Sequence, residues 1–123
     1  MKIILDTHIF LWAISEPEKL SEKQLLEISV LSNIVYISSI SIAEIMMKNS
    51  IGKLHIDFNP IEIAEKSGFE LLDFTANDAL LLKDLPFHHK DPFDRMIITQ
   101  GMSNKMRIMT SDSKFADYDC KLI

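Results

Sequence analysis

Four acidic side chains, Asp6, Glu44, Asp94 and Asp112, stand where the chain changes from one kind of segment to another. Asp6 cuts off the apolar run Ile3-Ile4-Leu5, and Asp112 lies two residues beyond the run Arg107–Thr110. Glu44 follows Ser41 by three residues, and Asp94 follows Asp91 by three. Carboxylates gathered within a few ångströms repel one another and raise each other's pKa unless something positive binds between them. An all-oxygen, carboxylate-rich set suits a hard cation such as Mg²⁺ or Mn²⁺ rather than zinc. One such ion, or a pair about 4 Å apart, can activate a water and stabilise the oxygens of an in-line phosphoryl displacement. The chemistry that these residue types could perform is phosphodiester hydrolysis.

Each acid also has a structural use. Asp6 could cap the helix that follows it, although a carboxylate flush against an apolar strand is costly without a partner. Glu44 completes a Ser-x-x-Glu capping pattern with Ser41. Asp91 precedes Pro92 and is expected to be the N-cap of its helix, and Asp94 suits the helix dipole as a first-turn acid. Asp112 could cap Ser113–Tyr118. The order of the acids along the chain, rather than any single one, points to a site.

The elements that must bring them together are legible as an alternation. Residues 2–5 read as a buried strand and His8–Ile14 as a helix capped by Thr7. Glu16-Pro17-Glu18 breaks it, and Ser21 with Gln24 opens a second helix through a capping box. Ile34–Ser38 is a strand, and a helix capped by Ser41 runs to about Ser50, ended by Gly52. Pro60–Lys66 is a short helix closed by Gly68, Phe69–Phe74 a strand, and Thr75 caps a further helix that Pro86 stops. Asp91-Pro92 opens a helix to about Ser103; Arg107–Thr110 is a strand, Ser113–Tyr118 a turn or short helix, and Cys120–Ile123 a last strand. Nearly all-apolar strands alternating with helices predict an α/β fold with a central parallel sheet covered on both faces. In such sheets ligands bind outside the carboxyl ends of the strands, where these acids fall.

At 123 residues, 47% hydrophobic and 25% charged, the chain is expected to be a single globular domain over 1–123. The opening Met-Lys-Ile-Ile-Leu-Asp is too soon interrupted for a signal peptide, and no stretch approaches the roughly 20 apolar residues of a membrane span. The lone Cys120 excludes an intramolecular disulfide and a cysteine-built zinc site, so a cytoplasmic setting is expected. The net charge of -5 argues mildly against nucleic-acid binding by bulk electrostatics. Residues 1–47 carry three Lys/Arg against six Asp/Glu, however, whereas residues 83–114 carry six against four, with His88 and His89 in addition. Cations bound at the acids would cancel part of the deficit.

With these residues in view, the chain resembles a known family. Leu5-Asp6-Thr7-His8 with Leu11-Trp12, then Ile40-Ser41-Ile42-Ala43-Glu44-Ile45 leading to Lys48 and Gly52-Lys53-Leu54, is similar to the PIN domain of VapC-type toxins. The likeness continues through Leu85-Pro86, His88-His89-Lys90-Asp91-Pro92-Phe93-Asp94-Arg95 and Thr110-Ser111-Asp112 with Phe115 and Tyr118, and so spans residues 4–118. The resemblance implies a three-layer α/β/α PIN-like domain and Mg²⁺- or Mn²⁺-dependent cleavage of RNA. It further implies a cognate antitoxin that blocks the site and commonly binds its own operator DNA, and a homodimer. Asp6, Glu44, Asp94 and Asp112 match the family's four acidic positions. By that match Asp6 and Asp94 hold the main metal, Glu44 does so directly or through water, and Asp112 completes the site or holds a second ion. Thr7, Ser111 and Asp91 are expected to support the acids by hydrogen bonds. Ala43 stands where relatives often carry a bulky aromatic and Lys90 where they often carry Arg, which bears only on substrate or partner contacts.

Neighbouring residues carry secondary expectations. His88 and His89, being adjacent, point in different directions and suit RNA-phosphate contact or loop structure better than one shared ion. Arg95 is expected to pair with Asp91 or Asp112, or to meet the scissile phosphate. Lys48 and Lys53 suit the end of their helix or an RNA backbone. Two other functional classes fit the pattern less well. A phospho-acceptor receiver domain needs an Asp ending a middle strand, where this chain has Ile37-Ser38-Ser39, and a Lys after the penultimate strand, where Lys114 is displaced past Asp112. A PIN fold acting only as a binding module has no use for four acids; a metal-dependent DNase would use the same site chemistry.

Overall fold

The computed structural model describes residues 1–123. Four short strands, β1 (Lys2–Leu5), β2 (Ile34–Ser38), β3 (Glu70–Leu72) and β4 (Arg107–Met109), form one parallel sheet in the order β3-β2-β1-β4. The helices are α1 (Thr7–Ser15), α2 (Glu22–Ser29), α3 (Ser39–Ser50), α4 (Pro60–Lys66), α5 (Ala76–Leu81) and α6 (Pro92–Ser103). Single 3₁₀ turns lie at Pro17–Lys19, Leu82–Asp84 and Ser113–Asp117. No helix is long and apolar enough to cross a membrane.

Strand pleating divides the core in two. Ile3 and Leu5 of β1, Val35 and Ile37 of β2 and Met109 of β4 face one side, where they pack on Ile9 and Phe10 of α1, Ile45 of α3 and Ala64 of α4. Ile4 and Ile108 face the other, against Ile97 and Ile98 of α6 and Phe115. Both faces are covered, which is why the strands lack polar alternation and why the architecture is a three-layer α/β/α sandwich. The register aligns Ile4 with Tyr36 on one side and with Ile108 on the other. Gly101 lets α6 press onto β4: a Cβ there would lie 2.6 Å from the Ile108 side chain.

The chain runs outward from β1 through β2 to β3 and then returns to the opposite side of β1 to form β4. At such a reversal the connections leave adjacent strands toward opposite faces and open a crevice at the carboxyl edge. Asp6 and Asp112 leave the sheet there, and the Asp6 backbone N–H, donating to the Met109 carbonyl at 3.0 Å, holds the two strand ends together.

Several boundaries differ from the sequence reading. Asp6, not Thr7, caps α1, its Oδ1 accepting from Ile9 N. The α3 helix begins at Ser39 with Ser38 as its cap, which places Ser41 and Glu44 inside the helix and removes the capping-box role for Glu44. The strand expected over 69–74 is regular only at Glu70–Leu72. Instead of a last strand at Cys120–Ile123, one bridge pairs Leu122 with Ile108, flanked by bonds from Ile108 N to Lys121 O and from Thr110 N to Ile123 O. The capping boxes at Ser21/Gln24 and Thr75/Asp78 and the Asp91 cap of α6 are as expected.

Candidate metal centre

Asp6 is placed by its two roles at once: it caps α1 through Oδ1, and its Oδ2 accepts the Thr110 hydroxyl proton. Thr110 Oγ1 in turn accepts from Asp112 N at 3.0 Å, so one hydroxyl ties the end of β1 to the segment after β4. Burial pushes the Asp6 carboxyl above its ordinary pKa, and the bonds from Thr110 and Ile9 only partly offset that. Thr110 was not singled out in the sequence; a threonine closing a strand two residues before an acid was the available signal.

Glu44 projects from α3 and is 2% exposed. Its Oε2 accepts from Lys48 Nζ at 2.6 Å, one helical turn away, while its Oε1 is buried with no hydrogen-bond partner. Lys48 is thereby an ion-pair partner within the site rather than a free RNA contact, and its pKa is raised first by the bond to Glu44. It is the only lysine or arginine at salt-bridge distance from any of the four acids.

Asp94, in the first turn of α6, has its pKa pushed up to about 7, first by burial, then by the charge of Asp91, with Asp6 and Glu44 adding to the rise and His89 opposing it. That Asp6, Glu44 and Asp91 all act on it shows that acids far apart in the chain share one pocket. Asp91 Oδ1 accepts from Phe93 N and Asp94 N, the capping role expected of it.

Asp112 accepts from Lys114 N through Oδ1 and meets His89 Nε2 through Oδ2 at 3.0 Å. Burial works against its charged form, but the Lys114 backbone and His89 outweigh it and hold the carboxyl below its usual range. The same His89 Nε2 lies 3.0 Å from Asp94 Oδ2. The ligand-capable atoms of His89, Asp94 and Asp112 lie within 4.8 Å of one another.

Four expectations are corrected. His89 is buried and bonded to the acids, not a loop side chain free for RNA, whereas His88 is exposed and its ring packs edge-on to Tyr118. Arg95 meets neither Asp91 nor Asp112: its guanidinium donates to Pro86 O and Leu85 O and lies 4.7 Å from the centre of the Phe87 ring. Ser111 is exposed and accepts from Gln24 Nε2, so Thr110, not Ser111, supports the acids. Thr7 donates to Ser41 Oγ at 2.9 Å, bracing α1 on α3 rather than bonding a carboxylate.

A cleft of about 450 Å³ is lined by Thr7, Trp12, Lys48, Lys53 and Phe58 among others, and of the four acids Glu44 lines it. An orphaned carboxylate oxygen and several carboxylates acting on Asp94 fit a divalent cation.

Solved structures similar to this chain share its fold. VapBC2 from Rickettsia felis bound to a promoter DNA fragment matches with a TM-score of 0.73 at 20% identity, covering 100% of this chain and 98% of that one. DNA-bound VapBC from Salmonella typhimurium matches at 0.69 and 20% identity, covering 100% and 97%. The PIN domain endonuclease Utp24 matches at 0.54 and 21% identity, covering 94% and 74%. No curated protein matches by sequence. The PIN domain family profile matches residues 3–121, both strand ends and all four acids included, and the chain belongs to the PIN domain family.

Proposed function

We propose that the chain is a Mg²⁺- or Mn²⁺-dependent endoribonuclease and the toxin of a toxin–antitoxin pair. The observation that carries this reading is the setting of Asp94, whose carboxyl is pushed up by burial and by the charges of Asp91, Asp6 and Glu44, while Lys48 is the one lysine or arginine within salt-bridge distance of the four acids. Among the oxygens of the four acids, Asp94 Oδ1 and Glu44 Oε1 have no protein partner, whereas both oxygens of Asp6 and of Asp112 are hydrogen-bonded. A bound divalent ion would supply the missing charge and Lewis acidity at the phosphate. The chain's own residues set the stage: Thr110 orients Asp6, Lys48 pairs with Glu44 Oε2, and the Asp91 cap fixes the first turn of α6 that carries Asp94. Hydrolysis puts the oxygen of water on phosphorus and breaks the P–O3′ bond, leaving a 5′-phosphate and a 3′-hydroxyl.

The resemblance to VapC-type toxins and the nearness of the fold to VapBC complexes support a cognate antitoxin as partner and a homodimer as the toxin's form. The cleft beside Glu44, with Trp12 and Phe58 next to Lys48 and Lys53, suits either an RNA backbone or an antitoxin segment covering the acids. The test is cleavage of single-stranded RNA and DNA by purified protein with Mg²⁺, with Mn²⁺ and with EDTA. RNA cleavage that needs the ion and is lost in Asp94→Asn supports the reading. Cleavage that survives EDTA, activity retained in Asp94→Asn, or a preference for DNA overturns it.

A further inference from the structure

His89, Asp94 and Asp112 have the look of a three-ligand metal set, yet the surroundings of the imidazole argue otherwise. The Asp91 backbone N–H points at His89 Nδ1 across 3.1 Å, so Nδ1 must be the accepting nitrogen and the ring proton sits on Nε2. That Nε2–H lies 3.0 Å from both Asp94 Oδ2 and Asp112 Oδ2. A metal-ligating Nε2 would need the proton moved to Nδ1, where it would collide with the Asp91 N–H. The ring has no freedom to turn away: Tyr118 Oη accepts the His89 backbone N–H at 2.8 Å, and Phe115 meets the imidazole edge-on at 6.0 Å between centroids. The side chain is 7% exposed.

We propose that His89 is a positioning residue, not a ligand: its Nε2–H bridges Asp94 and Asp112 and sets the separation at which the two carboxylates meet a divalent cation. This rests on the metal-dependent reading above and assigns a division of labour within it. Asp94 keeps Oδ1 without a protein partner, whereas both oxygens of Asp112 are engaged, by Lys114 N and by His89. The bridge makes Asp94 the inner ligand and Asp112 the weaker one. Without it, no direct contact sets the spacing of these two carboxylates, which lie on separate elements, α6 and the segment after β4, before the ion arrives.

The experiment uses the full chain with Mn²⁺ as the probe. Nitrogen-15 NMR of the metal-free protein should find His89 as the Nε2–H tautomer, and pulsed EPR of the Mn²⁺-loaded protein should find no directly coordinated imidazole nitrogen. In His89→Ala, Mn²⁺ affinity should fall by about 10- to 100-fold, the range for lost supporting partners of a metal ligand. His89→Gln, which can return an N–H donor, should recover most of that loss. An Nδ1–H tautomer, an imidazole nitrogen bound to Mn²⁺, or a folded His89→Ala protein with wild-type affinity each overturns the proposal. Should His89→Ala fail to fold, the two spectroscopic results on the wild type still decide it. Wild-type protein that binds no Mn²⁺ instead refutes the metal-site reading itself, and the positioning role falls with it.

Discussion

Replacing Asp94 by Asn should make the metal-free protein more stable at neutral to alkaline pH, although it removes a residue assigned to the site. The Asp94 carboxyl is raised from 3.8 to about 7 in the folded state, by burial first and by Asp91, Asp6 and Glu44 after it. Folded protein therefore holds this proton more tightly than unfolded chain does. The associated stability is fully present below about pH 4 and is lost as pH rises through about 7. A rise of about three pH units at about 1.4 kcal/mol each makes the cost of ionisation about 4 kcal/mol above pH 7. Asn keeps the shape and an acceptor for His89 Nε2–H without the charge, so about 2–4 kcal/mol should return, roughly 8–16 °C in Tm for a chain of this length. Urea unfolding followed by circular dichroism in EDTA, at about pH 5 and about pH 8, measures it. The gain should be large at the higher pH and small at the lower one, and Mg²⁺ should stabilise the wild type but not the variant. A variant no more stable than wild type at about pH 8 in EDTA, or a wild type whose stability is flat between the two conditions, refutes the reasoning.

Thr110→Val removes the hydroxyl between Asp112 N and Asp6 Oδ2 at nearly constant volume; it should cost about 1–3 kcal/mol by leaving buried groups unpaired, read by the same denaturation. Lys48→Met strips Glu44 of its one partner; the loss of about 1–2 kcal/mol in EDTA should shrink when Mg²⁺ is added, and a loss independent of Mg²⁺ would separate Glu44 from the ion. Gly101→Ala should destabilise by about 1–3 kcal/mol with cation affinity unchanged, because its Cβ would strike Ile108 in the core under the sheet rather than at its edge.

The alternation of strands and helices was legible because apolar runs of four or five residues flanked by caps have few other readings, and the start of α6 followed from Asp91-Pro92 alone. Ser41 misled because three serines, Ser38, Ser39 and Ser41, compete to cap α3, and local chemistry alone does not choose among them. The order of the acids was visible, but the bonds that hold them were not. His89 and Arg95 stand six residues apart in one motif, yet one turns inward to two carboxylates and the other outward to the carbonyls of Leu85 and Pro86. Which way each faces depends on Tyr118 and Phe115, about 20 to 30 residues later, and that pairing leaves no local trace. Thr110 was overlooked for the same reason: its value lies in a contact spanning 104 positions.

The reversal of chain direction beside β1 also has a bearing on protein synthesis. Asp6 leaves the ribosome 104 residues before its tether, Thr110, and the companion acid Asp112 follows later still, so β4 cannot dock before then. A nascent or prematurely terminated polypeptide thus carries the early acids without the late ones that complete the pocket. For the nuclease proposed above, such an arrangement leaves ribosome-bound fragments without a complete site until the segment after β4 has emerged.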